Sequence, residues 1–258
     1  MTAQQIEPAG RVKIDIVGRV MVITMTRQEK RNAIDGEMTQ AIDAALNQLE
    51  DDPGLWVGIL TGGPDMFCAG TDMAATSGTP TERGGIYGVV GRRRAKPLIA
   101  AVEGVAFGGG FEVVMACDMV VAANNARFAL PEVKRGLIAS SGALFRASRV
   151  LPLNIAKQLL ATGSELSPDN AERHGLVNQV CEPGDALTQA LALAEVIAAN
   201  SPVAVQLSLQ AVDEVIGASD DEAWSISRKF RDQVMASEDS QEGVAAFFEK
   251  RAPQWKAK

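Results

Sequence analysis

The chain begins with two short apolar segments separated by a glycine. Val12, Ile14 and Ile16 alternate with polar residues, and the apolar run 20–25 follows Gly18. Alternation with a period of two is typical of a strand with one buried face, and a short continuous run fits a strand buried on both faces. The pattern predicts a strand–turn–strand hairpin at the start of the fold.

Beyond the hairpin, the pattern predicts one helix and then several buried strands. Apolar residues recur at helical spacing from Met38 to Leu49, and the segment 51–54, with its proline and glycine, ends this helix. Short apolar runs predict strands at 55–60, 98–102, 119–122, 128–130 and 176–180. A strand followed by a glycine-bearing bend occurs twice, and the 38 positions between Thr71 and Gly109 fit the period of stacked strand–helix repeats.

From about residue 185 to the end, the pattern is helical throughout. Its apolar spacing predicts helices over 187–194, 203–215 and 224–230. The sequence therefore predicts a mixed α/β catalytic core at 1–184 and a helical oligomerisation region at 185–258. The apolar faces of this region exceed what one subunit can cover, and we expect the surplus to form an oligomer interface.

Composition restricts the classes of function. Of the 258 residues, 47% are apolar, which is ample for a core, and no run approaches the about 18 apolar residues of a membrane helix. A net charge of −7 and a pI near 4.9 argue against a nucleic-acid-binding surface. The N-terminal residues lack a basic region followed by an apolar one, so we expect a cytoplasmic protein. The cluster Arg92, Arg93, Arg94 and Lys96 is interpreted as a solvated helix end.

The sequence offers little support for metal or disulfide chemistry. Cys68, Cys117 and Cys181 are odd in number and far apart, so we expect reduced, buried thiols and no metal site. His174 is the only histidine, which removes most zinc sites and most histidine-dependent nucleophile mechanisms. It precedes a glycine at the predicted end of a short helix, where the helix dipole favours it, so we expect a structural role.

The glycines at 108–110, with Glu112 two positions beyond them, form the first candidate for chemistry. They follow a predicted strand and precede an apolar run, so they are predicted to open a helix whose N–H groups favour an anion such as an enolate. Close packing of the backbone is an alternative explanation for three glycines. The sequence matches neither a dinucleotide fingerprint nor a phosphate loop.

A second glycine turn lies at 67–72. Gly70 lets the chain turn sharply, so the N–H of Thr71 can point into a cleft. Two converging N–H groups, one from each glycine motif, would form an oxyanion hole. Asp72 is expected to cap the following segment, because a carboxylate beside an oxyanion would oppose it electrostatically.

The order of the motifs resembles the crotonase (enoyl-CoA hydratase/isomerase) superfamily over nearly the whole chain. The motifs are Arg31-Asn32-Ala33, Phe67 to Asp72, Ala106 to Glu112 and Leu130 to Val133. Further matches lie at Gly163, 171–177 and 242–251. Within the superfamily, 128–136 and the ending 253–256 most resemble the carnitinyl-CoA dehydratase branch and actinobacterial enoyl-CoA hydratases.

This resemblance implies an α/β fold in which a spiral of stacked ββα turns is followed by helices that mediate trimerisation, commonly as a dimer of trimers. It implies acyl-CoA substrates and no separate cofactor, since coenzyme A is part of the substrate. It assigns the oxyanion-hole N–H groups to Thr71 and Gly109, and the two catalytic carboxylates to Glu112 and Glu132.

The resemblance also implies residues that hold coenzyme A. Ala69 and Met73 would lie beside the adenine and Arg31 near the phosphates. Phe247 and Lys250 would reach the coenzyme A of a neighbouring subunit. The other positions implied for binding are Ala33, Gly70, Asp72 and Gly108.

Two carboxyls suit the addition of water to a double bond conjugated to a thioester. In the hydration direction we expect Glu112 to orient and deprotonate water and Glu132 to deliver the proton, with a raised pKa for at least one of them. Each glutamate could instead be an ordinary surface residue, although Glu112 lies among apolar residues. An isomerase needs one carboxylate rather than two, and a carnitinyl-CoA-type dehydratase or a non-catalytic acyl-CoA-binding oligomer are further alternatives.

One segment departs from the usual hydratase pattern. The sequence 138–143 stands where a proline- and glycine-rich loop is expected after Glu132, and Ser140 adds a hydroxyl and bulk near the acyl chain or water. This difference predicts a reshaped pocket. The stretch 74–85, rich in Gly, Thr and Ser, is predicted to form a loop over the acyl tail.

Overall fold

The computed structural model describes residues 4–6, 10–217 and 220–254. The strands are β1 (Gln4–Ile6), β2 (Val12–Val17), β3 (Val20–Met25), β4 (Val57–Thr61), β5 (Leu98–Val102), β6 (Val105–Phe107), β7 (Met119–Ala123), β8 (Arg127–Ala129), β9 (Glu165–Leu166) and β10 (Gln179–Cys181). The helices are α1 (Gly36–Asp51), α2 (Gly109–Met115), α3 (Ala143–Val150), α4 (Leu153–Thr162), α5 (Pro168–Arg173), α6 (Ala186–Ala198), α7 (Pro202–Gly217), α8 (Asp220–Met235) and α9 (Glu238–Glu249). Short 3₁₀ turns lie at Gln28–Lys30, Ile86–Gly88 and Pro131–Arg135.

Two sheets form the core of the α/β fold. Seven strands form the larger sheet in the order β1-β2-β3-β4-β5-β7-β10, and β6, β8 and β9 form the smaller one. β2 and β3 pair antiparallel as the predicted hairpin, and from β3 to β10 the neighbours in the larger sheet are parallel. β4 and β5 are buried at every position, as expected for central parallel strands with apolar sequences.

The first helix shows how local sequence determines an element. The side chain of Asp35 accepts a hydrogen bond from the backbone N–H of Met38 and so caps the N-terminus of α1. The helix buries Met38, Ile42, Leu46 and Leu49 against the larger sheet, which confirms the helical spacing predicted for these residues.

The chain then alternates between the two sheets. β5 in the larger sheet leads into β6 in the smaller sheet and then into α2, and β7 and β8 lead in the same way into the turn Pro131–Arg135. This repetition is the predicted spiral of stacked ββα turns. Helix α2 begins at the glycine run, as predicted.

The C-terminal part is helical, as predicted, but α6 packs as part of the core. Its Ala186, Ala190 and Ala194 are buried against apolar side chains from β3, β4, β5 and β7. The division at residue 184 stays a prediction, and Trp255 and Lys256 of the predicted C-terminal motif lie outside the described residues.

The last strand of the larger sheet begins later than predicted. The apolar residues at 176–180 predicted a strand, but β10 begins at Gln179. The backbone N–H groups of Leu176 and Val177 donate to the carbonyl oxygen of Ala171 and so terminate helix α5. The side chain of Ser167 caps the start of the same helix, and His174 lies at its C-terminal end, which confirms the predicted helix end.

The prediction of a solvated cationic helix end was wrong. Arg92 and Lys96 are buried, and only Arg93 of the cluster is exposed. The Arg92 guanidinium pairs with Asp43 of α1, and the Lys96 ammonium donates to the carbonyl oxygens of Leu49 and Asp52 at 2.7 Å each. Arg94 pairs with Asp118 at 2.7 Å. Arg92 and Lys96 therefore join the segment before β5 to α1, and Arg94 joins it to the residue before β7.

Three further observations bear on the expectations from composition. Cys68, Cys117 and Cys181 are free thiols; the first is buried and the other two are half-buried. In the described part of the chain, no single helix has the length and apolar character needed to cross a membrane. α6 and the start of α7 meet that test only as a pair bent by 106°.

The Arg92–Asp43 pair should contribute strongly to stability, since the Arg92 side chain is 1% exposed. We expect Asp43→Ala to lower the free energy of unfolding by about 3–5 kcal/mol, because the guanidinium would lose its counter-charge while remaining buried. Asp51→Ala is the matched control: it breaks the exposed pair with Arg83 and should leave the denaturation midpoint nearly unchanged. Equal midpoints for the two variants would contradict this role.

Candidate active site

The smaller sheet brings the two glycine motifs and Glu132 to one edge. Cys68 forms a parallel bridge with Ala106, and Ala106 pairs in parallel with Phe128. Three residues beyond each of these positions the chain reaches Thr71, Gly109 and Pro131. In-register parallel strands leave the sheet side by side, so these positions become neighbours although they are far apart in sequence.

The backbone around Gly70 approaches the start of α2 closely. Gly70 has φ +102°, and a Cβ there would lie 2.8 Å from the carbonyl oxygen of Phe107 and 3.2 Å from the nitrogen of Gly109. Only glycine allows this combination of left-handed backbone and close approach. This close approach makes Thr71 and Gly109, the residues with the two predicted N–H donors, neighbours in space.

The backbone N–H groups of Thr71 and Gly109 are not used in the backbone hydrogen bonds of the described residues. The carbonyl of Gly70 and the N–H of Asp72 make the bridge to Ile34, so the N–H of Thr71 between them faces the opposite side. Gly109 is the first residue of α2, where backbone N–H groups have no partner within the helix. The dipole of the helix adds positive character at this end.

The glycine run allows close packing of the backbone around α2. A Cβ on Gly110 would lie 2.4 Å from the carbonyl oxygen of Cys68, so this glycine is required for the contact between α2 and the neighbouring segment. Gly108 has φ +54° and faces the carboxyl of Glu132, whose Oε1 would lie 3.1 Å from a Cβ there. Close packing therefore explains Gly110, and the anion site at Gly109 stays a prediction.

Glu112 and Glu132 line the same cavity as Thr71 and Gly109. Glu112 is 2% exposed, and its Oε1 accepts a hydrogen bond from the backbone N–H of Ala143 at 3.2 Å. The Oε2 of Glu132 is buried and has no hydrogen-bond partner among the described residues. Burial of a carboxylate oxygen without a hydrogen-bond partner is unfavourable, so this oxygen is suited to contact with water or substrate.

The electrostatics of the pair favour bound protons. Burial raises the pKa of Glu112, the charge of Glu132 raises it further, and hydrogen bonds from Ala143 and Ser141 oppose the rise. Burial also raises the pKa of Glu132, against the attraction of Arg135. Because like charges this close repel, the pair favours states in which one carboxyl is protonated and the other ionised.

A cavity of about 580 Å³ contains these groups and most of the positions implied for coenzyme A. The implied residues that line it are Arg31, Ala33, Ala69, Gly70, Thr71, Asp72, Met73, Gly108, Gly109, Glu112, Glu132 and Phe247. Lys30 adds a second cation beside Arg31. Among the described residues, no cluster of three or more His, Cys, Asp and Glu could hold a metal ion.

Asp72 lies at the cavity without opposing an anion. Its Oδ1 accepts from the backbone N–H groups of Ala74 and Ala75, which is the capping role expected from the sequence. Its Oδ2 pairs with the buried guanidinium of Arg27 at 2.7 Å, and this hydrogen bond lowers the pKa of Asp72. The negative charge of Asp72 is therefore balanced by the guanidinium of Arg27.

Of the two C-terminal residues implied for coenzyme A binding, Phe247 and Lys250, only Phe247 lines the cavity. Phe247 lines the cavity of its own chain, with the guanidinium of Arg135 5.0 Å from its ring centroid. Lys250 is exposed at the end of α9 and does not line this cavity. Their contact with a neighbouring subunit stays a prediction.

The two segments expected to shape the acyl pocket contribute unequally. Ser140 lines the cavity, as expected from the changed loop, and Ser141 lies beside it. Of the stretch 74–85, the described residues place only Ala74 at the cavity wall. Thr81 instead pairs with Gly85 and donates to Asp43, so much of this stretch packs against α1.

Sequence reasoning missed Tyr87, which also lines the cavity. Its hydroxyl lies 2.7 Å from Thr71 Oγ1 and 3.4 Å from Ser141 Oγ. A signal was present: it is the only tyrosine in the chain and stands between Gly85 and Gly88. Spacing alone, however, gives no reason to connect it with residues 71 and 141.

Comparison with known proteins agrees with this geometry. Residues 15–258 match the family model for enoyl-CoA hydratase/isomerase. The chain is 39% identical to the enoyl-CoA hydratase EchA19 of Mycobacterium tuberculosis, covering 92% of each chain, and 37% identical to the carnitinyl-CoA dehydratase of Proteus mirabilis, covering 93% of this chain and 96% of that one. The structure of EchA1_1 from Mycobacterium paratuberculosis superposes with a TM-score of 0.91 at 41% identity, over 97% of this chain and 100% of that chain. The protein belongs to the enoyl-CoA hydratase/isomerase family.

The raised pKa values predict a stability that falls as the pH rises. Between the ordinary pKa of a glutamate and the raised one, the folded protein binds more protons than the unfolded chain, so the free energy of unfolding decreases through this range and then levels off. We expect Glu112→Gln, which removes this loss, to have a higher denaturation midpoint than the wild type at about pH 9 and a similar one at about pH 4.

The same substitution at the exposed Glu222 controls for loss of a carboxyl far from the cavity. Denaturation curves at both pH values measure the effect. Identical midpoints for the wild type and Glu112→Gln at the higher pH would show that burial of Glu112 carries no such cost.

Proposed function

We propose that this protein is an enoyl-CoA hydratase, a lyase that reversibly adds water in syn fashion to a trans-2-enoyl-CoA thioester. The observation that carries the proposal is the meeting, in one cavity, of the buried Glu112 and the half-buried Glu132, both with raised pKa, and two backbone N–H donors. The names of the relatives and the family agree with it.

Each group has a role that its surroundings support. The N–H groups of Thr71 and Gly109 hold the thioester oxygen as negative charge develops on it, and the helix dipole favours this charge. Glu112, whose ionised form receives hydrogen bonds from Ala143 and Ser141, accepts the proton of water. Glu132, a half-buried residue whose Oε2 is buried and has no partner among the described residues, delivers a proton to the α-carbon. After the addition Glu112 is protonated and Glu132 is ionised, so a proton must pass from Glu112 to Glu132 before the next turnover.

Binding of the coenzyme A moiety follows from the cavity wall. Arg31 and Lys30 provide positive charge for phosphates, and Ala69 and Met73 provide a small, apolar surface for the adenine. The reaction uses proton transfer and electrostatic stabilisation only, so we propose that it needs no cofactor beyond the coenzyme A of the substrate.

A carnitinyl-CoA-type dehydratase is the second candidate. The similarity to the Proteus mirabilis carnitinyl-CoA dehydratase favours it, and dehydration is the same chemistry run in reverse. The hydroxyls of Ser140, Ser141 and Tyr87 at the cavity suit an acyl group with a polar substituent. An isomerase would need only one of the two carboxylates.

Glu112→Gln tests the proposal. We expect it to reduce hydration by about 10²–10⁴-fold, because the amide cannot accept the proton of water. The assay is loss of enoyl-thioester absorbance with crotonyl-CoA, longer enoyl-CoAs and crotonobetainyl-CoA.

Glu222→Gln is the control with an intact cavity. An isomerase that uses only Glu132 would keep its activity in Glu112→Gln. If no substrate reacts while the folded wild type binds coenzyme A, the proposal is wrong.

We further propose a cytoplasmic homotrimer or dimer of trimers. Helix α7 carries two pairs of exposed aliphatic residues four positions apart, Val203 with Leu207 and Val212 with Ile216, and Val196 of α6 is 65% exposed. Side chains of this kind, exposed in a single chain, are typical of surfaces covered by another subunit.

Leu207→Glu should weaken this assembly, since a charge would be buried in an apolar interface. Light scattering should give three or six times the chain mass of 27.3 kDa for the wild type and a smaller mass for the variant. Ser208→Glu adds the same charge at the next exposed position and should keep the wild-type mass. A wild-type mass of one chain would refute the assembly.

A further inference from the structure

Two glycines of the sequence motifs, Gly163 and Gly243, lie against the turn that carries Glu132. Gly163 follows the last residue of helix α4, and Gly243 lies inside helix α9. Neither of these residues lines the cavity that contains the candidate site. Contact with substrate therefore does not explain them, and their packing has to be considered instead.

Gly163 approaches the residues just before Glu132. A Cβ on Gly163 would lie 3.0 Å from the Cα of Pro131 and 3.3 Å from the carbonyl oxygen of Leu130. The carbonyl oxygen of Gly163 also accepts a hydrogen bond from Lys134 Nζ at 2.7 Å. With φ +59°, this glycine ends the helix and leaves room for the turn.

Gly243 approaches the residues just after Glu132. A Cβ on Gly243 would lie 2.2 Å from the carbonyl oxygen of Arg135 and 2.8 Å from the nitrogen of Gly136, closer than a side chain allows. The fit is reciprocal, because a Cβ on Gly136 would lie 2.4 Å from the carbonyl oxygen of Asp239 in the same helix. Glycine is less favourable than alanine inside a helix, so we attribute its presence in α9 to this contact.

Gly243 belongs to the buried face of α9. Ser240, Gly243 and Ala246 recur every three positions, and all three are buried. One position further, the ring centroid of Phe247 lies 5.0 Å from the guanidinium of Arg135, a distance at which a cation and an aromatic ring attract each other. Helix α9 therefore contacts both the backbone and the side chain of Arg135.

The turn depends on these neighbours for its position. Pro131–Arg135 is a 3₁₀ turn of five residues, and the hydrogen bonds of such turns have poorer geometry than those of an α-helix. Just beyond it, the N–H of Leu137 donates to the carbonyl oxygen of Glu132 at 3.1 Å. The segment that α9 contacts is thus bonded directly to the backbone of Glu132.

We propose that Gly163 and Gly243 are positioning residues for Glu132. By admitting the backbone of the turn, they let α4 and α9 hold it on both sides of Glu132 and so fix where the carboxyl enters the cavity. The proposal rests on the proposed hydratase function and extends it to the C-terminal helix. Proton delivery requires the acid within hydrogen-bond reach of the substrate, so a small displacement of the turn lowers the rate.

Gly163→Ala and Gly243→Ala test the proposal. The methyl group of Gly163→Ala would press on the backbone of Pro131 and displace the turn slightly. We expect kcat for crotonyl-CoA to fall about tenfold with a much smaller change in KM, because the acid moves while the wall implied for coenzyme A stays in place. Gly243→Ala, whose methyl group would collide with the carbonyl oxygen of Arg135, should lower kcat further.

Gly175→Ala is the matched control for Gly163→Ala. Gly175 also has positive φ, +82°, at the end of a helix, and apart from its chain neighbours a Cβ there would meet no atom of the described residues within 4 Å. It introduces similar backbone strain without touching the turn, so it should lower the denaturation midpoint and leave kcat and KM unchanged. Gln241→Ala, at an exposed position of α9, is the corresponding control for Gly243→Ala.

Equal falls in kcat for Gly163→Ala and Gly175→Ala would overturn the proposal, because the loss would then follow backbone strain rather than contact with the turn. A wild-type kcat in both Gly163→Ala and Gly243→Ala would overturn it as well.

Hydrogen exchange of the Leu137 amide in the substrate-free protein gives a readout that does not depend on turnover. Because this N–H donates to Glu132, faster exchange in Gly163→Ala than in Gly175→Ala supports the positioning role even if no enoyl-CoA is hydrated. Equal exchange in these two variants refutes the role even if hydration is found. If neither Gly163→Ala nor Gly243→Ala folds, Lys134→Met decides by the same measurement, since it removes the hydrogen bond to Gly163 without adding a collision.

Discussion

The close approach of backbone segments at one edge of the smaller sheet is the constraint on which the candidate site depends. Cys68, Ala106 and Phe128 lie in register, so the chain segments that follow them leave the sheet together. Gly70 and Gly110 allow these segments to touch where any side chain would collide with a carbonyl oxygen. Backbone N–H groups held in this way need no reorganisation when negative charge appears beside them.

The second feature of the site is the placement of charge in a dry environment. Burial of Glu112 and Glu132 is unfavourable for folding, but it gives each carboxyl a proton affinity suited to transfer near neutral pH. Elsewhere in the fold, two buried guanidinium groups have carboxylate partners: Arg27 pairs with Asp72, and Arg92 pairs with Asp43. Burial of Glu112 and Glu132 lowers stability for the sake of activity, and the rest of the scaffold has to offset that loss.

Where sequence patterns succeeded, the relevant forces act over short distances along the chain. The hairpin β2–β3, the helix α1 and the start of α2 depend on periodicity, capping and glycine, all of which are local. The cationic residues 92–96 were misinterpreted because their partners Asp43 and Asp118 come from other elements. The strand at 176–180 was placed too early because Leu176 and Val177 are buried by terminating α5, and burial alone does not distinguish a strand from a helix end.

By itself, the sequence determined the succession of elements and which carboxyls and glycines were candidates for chemistry, since residue type and spacing carry that information. Only the tertiary structure decided that the amides of residues 71 and 109 share a cavity with both glutamates, because parallel pairing of distant strands sets that distance. It also decided that the hydroxyl of Tyr87 lies within hydrogen-bond distance of both Thr71 and Ser141. A hydrogen bond between side chains 54 positions apart depends on how the sheets stack, and local pattern contains no record of it.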